Sequence, residues 1–507
     1  MSDTLYIPTA NDPDIATCDS EPLAFCGQIQ NEGALLVTDG GGRLTHYSDN
    51  LDDFFDLPDS GHPASLQALF ADNSDYFRHR RQNIFEGAHY LIPGVISNRG
   101  VEGDLLSSEH AGRVLYEFEP AAAAPQADDG DCSVTVNAQA LPGGARIDDL
   151  LRQIRALTGY DKIMIYRFFE DGSGEVVAEL SNGRLDDYQG LRFPASDVPR
   201  NARALYVENP FRIIFDTESR DVPIAALPGR GSVDLDLSTS CLRSVSPLHI
   251  EYLGNMGVRS SCSFSIRVMG YLWGLVALHA VAPTRIPVRN RVDVRRLVDR
   301  VLAGPIMNER INADHQRFNA AADLVDRTAQ RLAALLAGRE EAPPTASLRS
   351  LVDSDDLLCL HGDRLLLDTA GLPADERAAL LDVCRQQSLQ GQFATSSLSR
   401  FLDQAESFRQ RVSGVLYQSC GAGASLQALE ILWLRREKSM SVDWAGKPEK
   451  LRREVDGAVR LSPRKSFERW TQEALGHATP WQNGDRLVAT KIAAKSLSLL
   501  AAGSRRA

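Results

Sequence analysis

Cys241-Leu-Arg-Ser-Val-Ser-Pro-Leu-His-Ile-Glu-Tyr-Leu-Gly-Asn-Met-Gly-Val258 decides how the middle of this chain folds. It predicts a helix over Pro247–Met256, and two strands follow it, Ser261–Val268 and Leu272–Val281. The turn Met269-Gly270 between them suits an antiparallel pair. Upstream, the pattern reads helix (Ala145–Thr158), strand (Lys162–Phe168), strand (Glu175–Leu180), helix (Val198–Val207) and strand (Arg212–Asp216). A long loop over Thr217–Ser240 leads back to the opening stretch. The expected result is an antiparallel sheet flanked by helices.

Further out, Glu119-Pro-Ala-Ala-Ala-Ala-Pro-Gln-Ala-Asp-Asp-Gly-Asp131 interrupts apolar periodicity and marks a domain seam. Before it, Gly33–Val37 and Leu44–Tyr47 read as short strands around the turn Asp39-Gly-Gly-Gly42, followed by short helical patterns, which makes a small α/β unit. After the central region, Val292–Ala337 is helical in pattern, broken or kinked at Gly304-Pro305, with Ile311, Phe318, Val325 and Leu332 seven residues apart. That stripe suits either a core contact or the seam of a homodimer, and a helix this long favours the seam. Gly338–Pro344 is a second linker. A third unit over about 346–482 has strands at Leu365–Leu367 and Leu429–Leu434, and a last helix, Asp485–Ala502, carries Val488, Ile492 and Leu499 along one side. The charged, Pro- and Gly-bearing segment between Arg436 and Pro480 is too long for an ordinary loop. The fold class is therefore α+β, in three sensor-sized domains: 1–125, 126–310 and 311–507.

With 507 residues, 43% hydrophobic and 24% charged, the chain has the composition of a soluble globular protein. A formal charge of −12 argues against a nucleic-acid partner, which needs a surplus of Lys and Arg on one face. The basic clusters Arg78–Arg81 and Arg289–Arg296 read as solvated helix faces. No apolar run approaches the roughly 20 residues of a membrane span, and Met1–Asn11 lacks a basic-then-apolar leader, so a cytoplasmic protein without a membrane partner is expected. Eight scattered cysteines, with no C-x-x-C pair, indicate no zinc site. No Gly-rich nucleotide loop follows a strand, and no phospho-accepting His sits in a helical hairpin, so a kinase or cyclase domain is not expected within these residues.

Three motifs resemble those of bacteriophytochromes. In the first, Cys18, Asp19, Glu21, Pro22, Gly27, Ile29, Gln30 and Gly33 fit the N-terminal segment that bears the chromophore, although Cys26 replaces a proline and Asn31-Glu32 replace Pro-His. On position alone Cys18 is an ordinary thiol. The second is Phe193-Pro-Ala-Ser-Asp-Val-Pro-Arg-Asn-Ala-Arg-Ala-Leu-Tyr206, which by itself reads as a helix start capped by Ser196 or Asp197, with Pro199 in the first turn. The third is the opening stretch, where a lone His249 is ordinarily a satisfied core residue.

The resemblance implies PAS, GAF and PHY domains in that order and an N-terminal tail threaded through the 217–240 loop as a figure-of-eight knot, with Ile29 in the lasso. It implies a red/far-red photoreceptor carrying biliverdin IXα, a linear tetrapyrrole joined by a thioether to Cys18. Leu248 stands where phytochromes using more reduced bilins have their attachment cysteine. By the same resemblance, Asp197, with Val198 and Pro199, lies beneath the pyrroles, and His249 hydrogen-bonds the pyrrole water. Arg212 and Arg243 hold the propionates through bidentate guanidinium pairing. Tyr166 and Phe193 form aromatic walls, Tyr252 lies beside the isomerising ring, Tyr206 belongs to the binding motif, and Ser261, Ser263 and His279 meet a propionate or the terminal ring carbonyl. Val442-Asp-Trp-Ala-Gly-Lys-Pro448 and Leu461-Ser-Pro-Arg-Lys-Ser-Phe467 resemble the two halves of the family's tongue (about 436–480). There Arg464 is expected to meet Asp197 in one photostate and Ser466 to pair in the other. A downstream output domain or partner protein is also implied. A PAS/GAF sensor of another small ligand, indifferent to light, is the alternative.

Overall fold

The computed structural model describes residues 21–504, apart from 60, 72–81, 86–88, 124–131, 138–139, 142–143, 210, 228, 230–233, 422–426, 448–450, 456–457 and 463–464. The described residues divide into two compact units, a larger one built from 21–307 together with 443–470, and a smaller one from 308–442 and 471–504.

The larger unit opens with β1 (Gln28–Gln30), β2 (Ala34–Asp39) and β3 (Leu44–Ser48), followed by β4 (Gln82–Phe85), β5 (His89–Ile96), β6 (Glu102–His110) and β7 (Arg113–Pro120). After β8 (Ser133–Val136) come α1 (Gly144–Thr158), β9 (Lys162–Phe168), β10 (Gly174–Ser181), β11 (Arg192–Phe193), α2 (Arg200–Glu208), β12 (Phe211–Ile214) and β13 (Asp221–Ala226). Then follow α3 (Pro247–Asn255), β14 (Ser260–Val268), β15 (Tyr271–Ala280) and α4 (Val288–Val298). At the turn joining β14 to β15, Met269 and Gly270 have φ of 53° and 82°, the two left-handed residues that a tight hairpin matching strand twist requires.

Two sheets result. One runs β1-β13-β3-β2-β7-β6-β5-β4, and β13 comes from inside the expected 217–240 loop. Its sequence, Asp-Val-Pro-Ile-Ala-Ala, is mostly exposed or half-buried, so it carries no period-two signal. β1 is clamped on both edges. It pairs antiparallel with Asp221–Pro223, while Gln30 N donates to Leu242 O at 2.8 Å and Ser244 N to Gln28 O at 3.0 Å. Ile29 between them is fully buried; the expected threading involves residues 1–20, 228 and 230–233, which lie outside the described residues. The other sheet runs β12-β14-β15-β9-β10-β11, and at its edge Arg192 pairs in parallel with Trp444, far along the chain.

The long helix is widened where a break was expected. Asp299–Ala303 forms a π turn between α4 and α5 (Gly304–Leu336), closed by Gly304 N donating to Asp299 O. Pro305 has no amide hydrogen to give, and the wider turn carries the helix past it.

The smaller unit adds α6 (Thr345–Leu351), β16 (Asp356–His361), β17 (Arg364–Asp368), α7 (Ala374–Gln387), β18 (Gln392–Thr395), β19 (Gly414–Cys420), β20 (Leu429–Arg435) and α8 (Asn483–Ser504). Its sheet, β17-β16-β20-β19-β18, is covered on both faces. Leu357, Cys359, Ile431 and Trp433 face α5, α6 and α8, while Leu358, Leu360, Leu432 and Leu434 face α7. Alternate residues point to opposite faces, so burial of both gives unbroken apolar runs such as Asp-Leu-Leu-Cys-Leu. Val325 and Leu332, read above as half of a dimer seam, are buried in this unit's own core. Ile311 and Phe318 are half-buried.

Within the larger unit, Glu119 at the end of β7 forms an ion pair with Arg291 of α4, which is fully buried. Removing one member strands a charge out of water. Glu119→Gln is expected to lower the stability of the larger unit by roughly 3–5 kcal/mol, and replacing both residues with apolar ones to recover most of it, as read from urea-unfolding midpoints.

Candidate functional site

Between α2, α3 and β14 an open cavity of about 160 Å³ lies in the larger unit. Asp197, Val198, Pro199 and Tyr206 line one side, and Arg212, Arg243, His249, Tyr252, Ser261 and Ser263 the other. Ten of the expected site residues thus converge on one space. The remaining wall includes Val245, Leu248, Leu205 and Ala202, with Glu21 and Leu23 from the N-terminal segment. A largely apolar cavity with a few convergent polar groups is the usual form of a small-molecule site.

The helix above the cavity starts later than expected, at Arg200, with Pro199 in the capping position and no side-chain cap. Neither Ser196 nor Asp197 caps it. Asp197 lies three residues before the first helical residue, in a turn where its N–H bonds Pro194 O at 3.0 Å. This leaves its carboxylate facing the cavity, where Tyr252 Oη donates to it at 3.1 Å.

The two arginines behave differently. Arg212 donates to the carbonyls of Cys241 at 2.8 Å and Ser244 at 3.0 Å, and also to that of Arg243. It therefore shapes the loop that carries its neighbour. Arg243 donates through Nη1 to Leu23 O at 2.8 Å, and its buried Nε has no partner. Among the described residues neither guanidinium has a carboxylate within 4.0 Å. Burial and the charge of Arg212 pull the Arg243 pKa down to about 10, so it remains a cation at neutral pH. An electropositive, partly unsatisfied pocket is left.

His249 stacks on Tyr252, with ring centroids 5.9 Å apart and planes 14° apart. Burial, then the charge of Arg212, holds its pKa down to about 4. His279 lies opposite Ser261 on β15, behind the cavity wall, with its Nδ1 buried and unpartnered. Burial, Lys162 and His249 lower it to about 3. Both imidazoles are neutral at pH 7.

Tyr166 and Phe193, expected as walls, stand one layer back. Their rings meet edge-on at 5.9 Å, in an apolar cluster with Leu253, Ala445 and Phe467. A Cβ on Gly174 would lie 2.1 Å from the Tyr166 ring, so that position admits only glycine while the tyrosine stays. Ile29 sits in the clamp described above. Ser466 is exposed and accepts from Glu468 N at 3.4 Å. Cys18 and Arg464 lie outside the described residues.

Sequence reasoning missed three contributors. Glu21 was read only as part of a motif, yet its carboxylate accepts from Ser246 Oγ at 2.9 Å and its carbonyl from Asn201 at 2.9 Å, tying the N-terminal segment to the cavity rim. Tyr188 and Phe467 meet edge-on at 6.2 Å, and Phe467 meets Tyr252 at 5.4 Å. The tongue-like motif thereby reaches the cavity wall, and Gly446 N to Glu468 O at 2.8 Å joins its two halves. Nothing local marks Tyr188; only its place in an apolar cluster does. Among the described residues no three His, Cys, Asp or Glu are grouped to hold a metal, and no helix is long and apolar enough to cross a membrane.

The histidines set a pH dependence. The unfolded chain protonates them near 6.5 and the folded chain only near 4 and 3, so their contribution to stability is complete above 6.5 and is lost as pH falls toward 4. Each adds a slope of up to about 1.4 kcal/mol per pH unit in that window. Urea midpoints between pH 4.5 and 7 should fall with acid, and His249→Gln should flatten the curve.

Comparison with known proteins places this geometry. The family models for the GAF domain and for the phytochrome region match residues 144–303 and 320–504. A bacteriophytochrome of Pseudomonas aeruginosa is 32% identical over 518 residues, covering 94% of this chain and 66% of that protein. Cyanobacterial phytochrome B of Nostoc is 34% identical over 348 residues, 66% of this chain and 44% of that one. The chain thus spans just under two thirds of the first relative's length and less than half of the second's. The solved photosensory core module of the Stigmatella aurantiaca phytochrome superposes with a TM-score of 0.70 at 29% identity, over 97% of this chain and 98% of that one. A bacteriophytochrome from R. palustris superposes at 0.67 and 25% identity, over 96% and 99%. By sequence and by fold, this chain belongs to the bacteriophytochrome family of photoreceptors.

Proposed function

We propose that this chain is the light-sensing part of a red/far-red photoreceptor that holds biliverdin IXα covalently through Cys18 and interconverts two photostates, Pr and Pfr. The observation that carries the reading is the pair of guanidinium groups, Arg212 and Arg243, at an apolar cavity with no carboxylate of the described chain within reach and with Arg243 Nε unpartnered. Two carboxylate arms on a flat apolar molecule are the complement of that arrangement. When bound, the tetrapyrrole supplies visible absorption and a double bond that light isomerises.

The chain's own groups do the rest. Arg243, with Arg212 behind it, binds the propionates. Asp197, fixed by Tyr252, and the neutral His249 offer acceptors for pyrrole N–H groups and water. Ser261 and Ser263 add hydroxyls, and Tyr252, Tyr206, Val198 and Pro199 pack the slot, with Tyr166, Phe193 and His279 behind it. Glu21, held by Ser246 and Asn201, lies at the rim, three residues after Cys18 in sequence. Leu248 at the mouth leaves no thiol there. The tongue, through Arg464 and Ser466, exchanges partners with Asp197 between photostates, and the signal passes along α5 to a homodimer partner and an output domain or separate protein. The chain acts as a sensor in the cytoplasm, without nucleic acid or membrane.

Mixing the purified protein with biliverdin and illuminating it tests the reading. Red and far-red bands that interconvert with light are expected, with the pigment retained through denaturation. Cys18→Ala should keep binding but release the pigment on denaturation, whereas retention there moves attachment to Cys26. A protein that stays colourless, or coloured but indifferent to light, makes the light-independent ligand sensor the correct account.

A further inference from the structure

Below the aromatic layer lies an ion pair that the cavity does not use. Lys162 at the start of β9 is fully buried, Glu179 on β10 is 2% exposed, and their charged atoms are 2.9 Å apart. A buried pair is weak support for stability, since desolvating two charges offsets most of their attraction. What this one does is hold a loop. Lys162 Nζ donates to the carbonyl of Asp186 and stands 4.4 Å from the centroid of the Tyr188 ring. The other oxygen of Glu179 accepts from Tyr188 N at 2.9 Å. Both charges therefore grip the same three residues from inside the sheet, and Tyr188, 1% exposed, cannot shift without breaking a charge-assisted bond.

Tyr188 in turn carries aromatic contacts. Its ring meets Phe193 at 5.7 Å and Phe467 at 6.2 Å, both edge-on. Phe467, from a segment nearly three hundred residues away in sequence, is 7% exposed and closes on Tyr252. Rigid support matters for such a contact because an edge-to-face pair loses its energy when the rings turn.

We infer that Lys162 and Glu179 are positioning residues for the tongue: from within the sheet they fix Tyr188 as the platform on which Phe467 docks. The role of the tongue as the moving element rests on the photoreceptor reading; the docking itself involves only this chain's side chains. The pair then sets how firmly the tongue base is held, and weakening it loosens Phe467 while the sheet stays intact.

Hydrogen exchange on the whole chain, with no bilin added, tests this. In Lys162→Met and in Glu179→Gln, amides at 466–470 should exchange roughly two- to tenfold faster, the factor that aromatic-pair energies correspond to. Amides of β14 and β15 should stay as protected as before. Lys162→Arg, which keeps the cation, should leave 466–470 near the parent level, and Phe467→Ala sets the upper limit of the effect. If a single variant does not fold, Lys162→Met combined with Glu179→Gln removes both charges and should give the same local rise. Unchanged exchange at 466–470 in a folded variant overturns the inference. So does a rise shared equally by β14 and β15, which would make the pair general support for the sheet. Addition of biliverdin afterwards is a separate readout, so refusal of the pigment would sink the photoreceptor reading and leave the exchange result standing.

Discussion

Three backbone carbonyls, at Cys241, Arg243 and Ser244, converge on the guanidinium of Arg212. That grip organises the stretch leading into α3, from which Arg243, Ser246, His249 and Tyr252 all project. The same stretch is fixed from its other side by Glu117, whose buried carboxylate accepts from Ser240 Oγ at 2.6 Å, Cys241 N at 3.0 Å and Leu242 N at 2.7 Å. Because an irregular segment has no ladder to satisfy its polar groups, these side chains supply the partners that a strand would. The cavity exists because the loop above it is held this way.

From that constraint the electrostatics follow. Arg212 spends its donors on the backbone, so its charge remains uncompensated beside Arg243, and each buried cation disfavours further protonation nearby. Arg212 in this way helps keep His249 neutral, as Lys162 does for His279, with burial the larger cause in both. A site that is cationic through arginine and neutral through histidine is suited to anionic arms at its edge and to uncharged hydrogen bonding at its centre. The aromatic cluster behind it, built from Tyr166, Tyr188, Phe193 and Phe467, extends this wall to the 443–470 segment.

Many regular elements were legible because their signals are local. The Met269-Gly270 turn, the apolar run of β20 and the amphipathic final helix each announce themselves within about ten residues. Others were misread or passed over despite local apolar residues: β5, β6 and β7 stand where short helices were expected, and β16 had no strand assigned to it. One element had no local signal at all. β13 is half-buried or exposed throughout and is a strand only because β1 and β3 offer it edges. The seven-residue stripe was real, but the period alone does not say whether Val325 and Leu332 meet a second copy or, as here, their own unit's core.

By itself, then, the sequence determined the α+β elements, the site's inventory of Asp197, Arg212, Arg243, His249 and Tyr252, and the family, since each of these is written in short ordered motifs. Only the tertiary structure decided how the inventory is used. Asp197 answers to Tyr252, Arg212 to carbonyls thirty residues on, Glu21 to Ser246 and Phe467 to Tyr188. Hydrogen bonds and ring contacts are set by distance and angle between groups far apart along the chain, and a one-dimensional pattern carries neither.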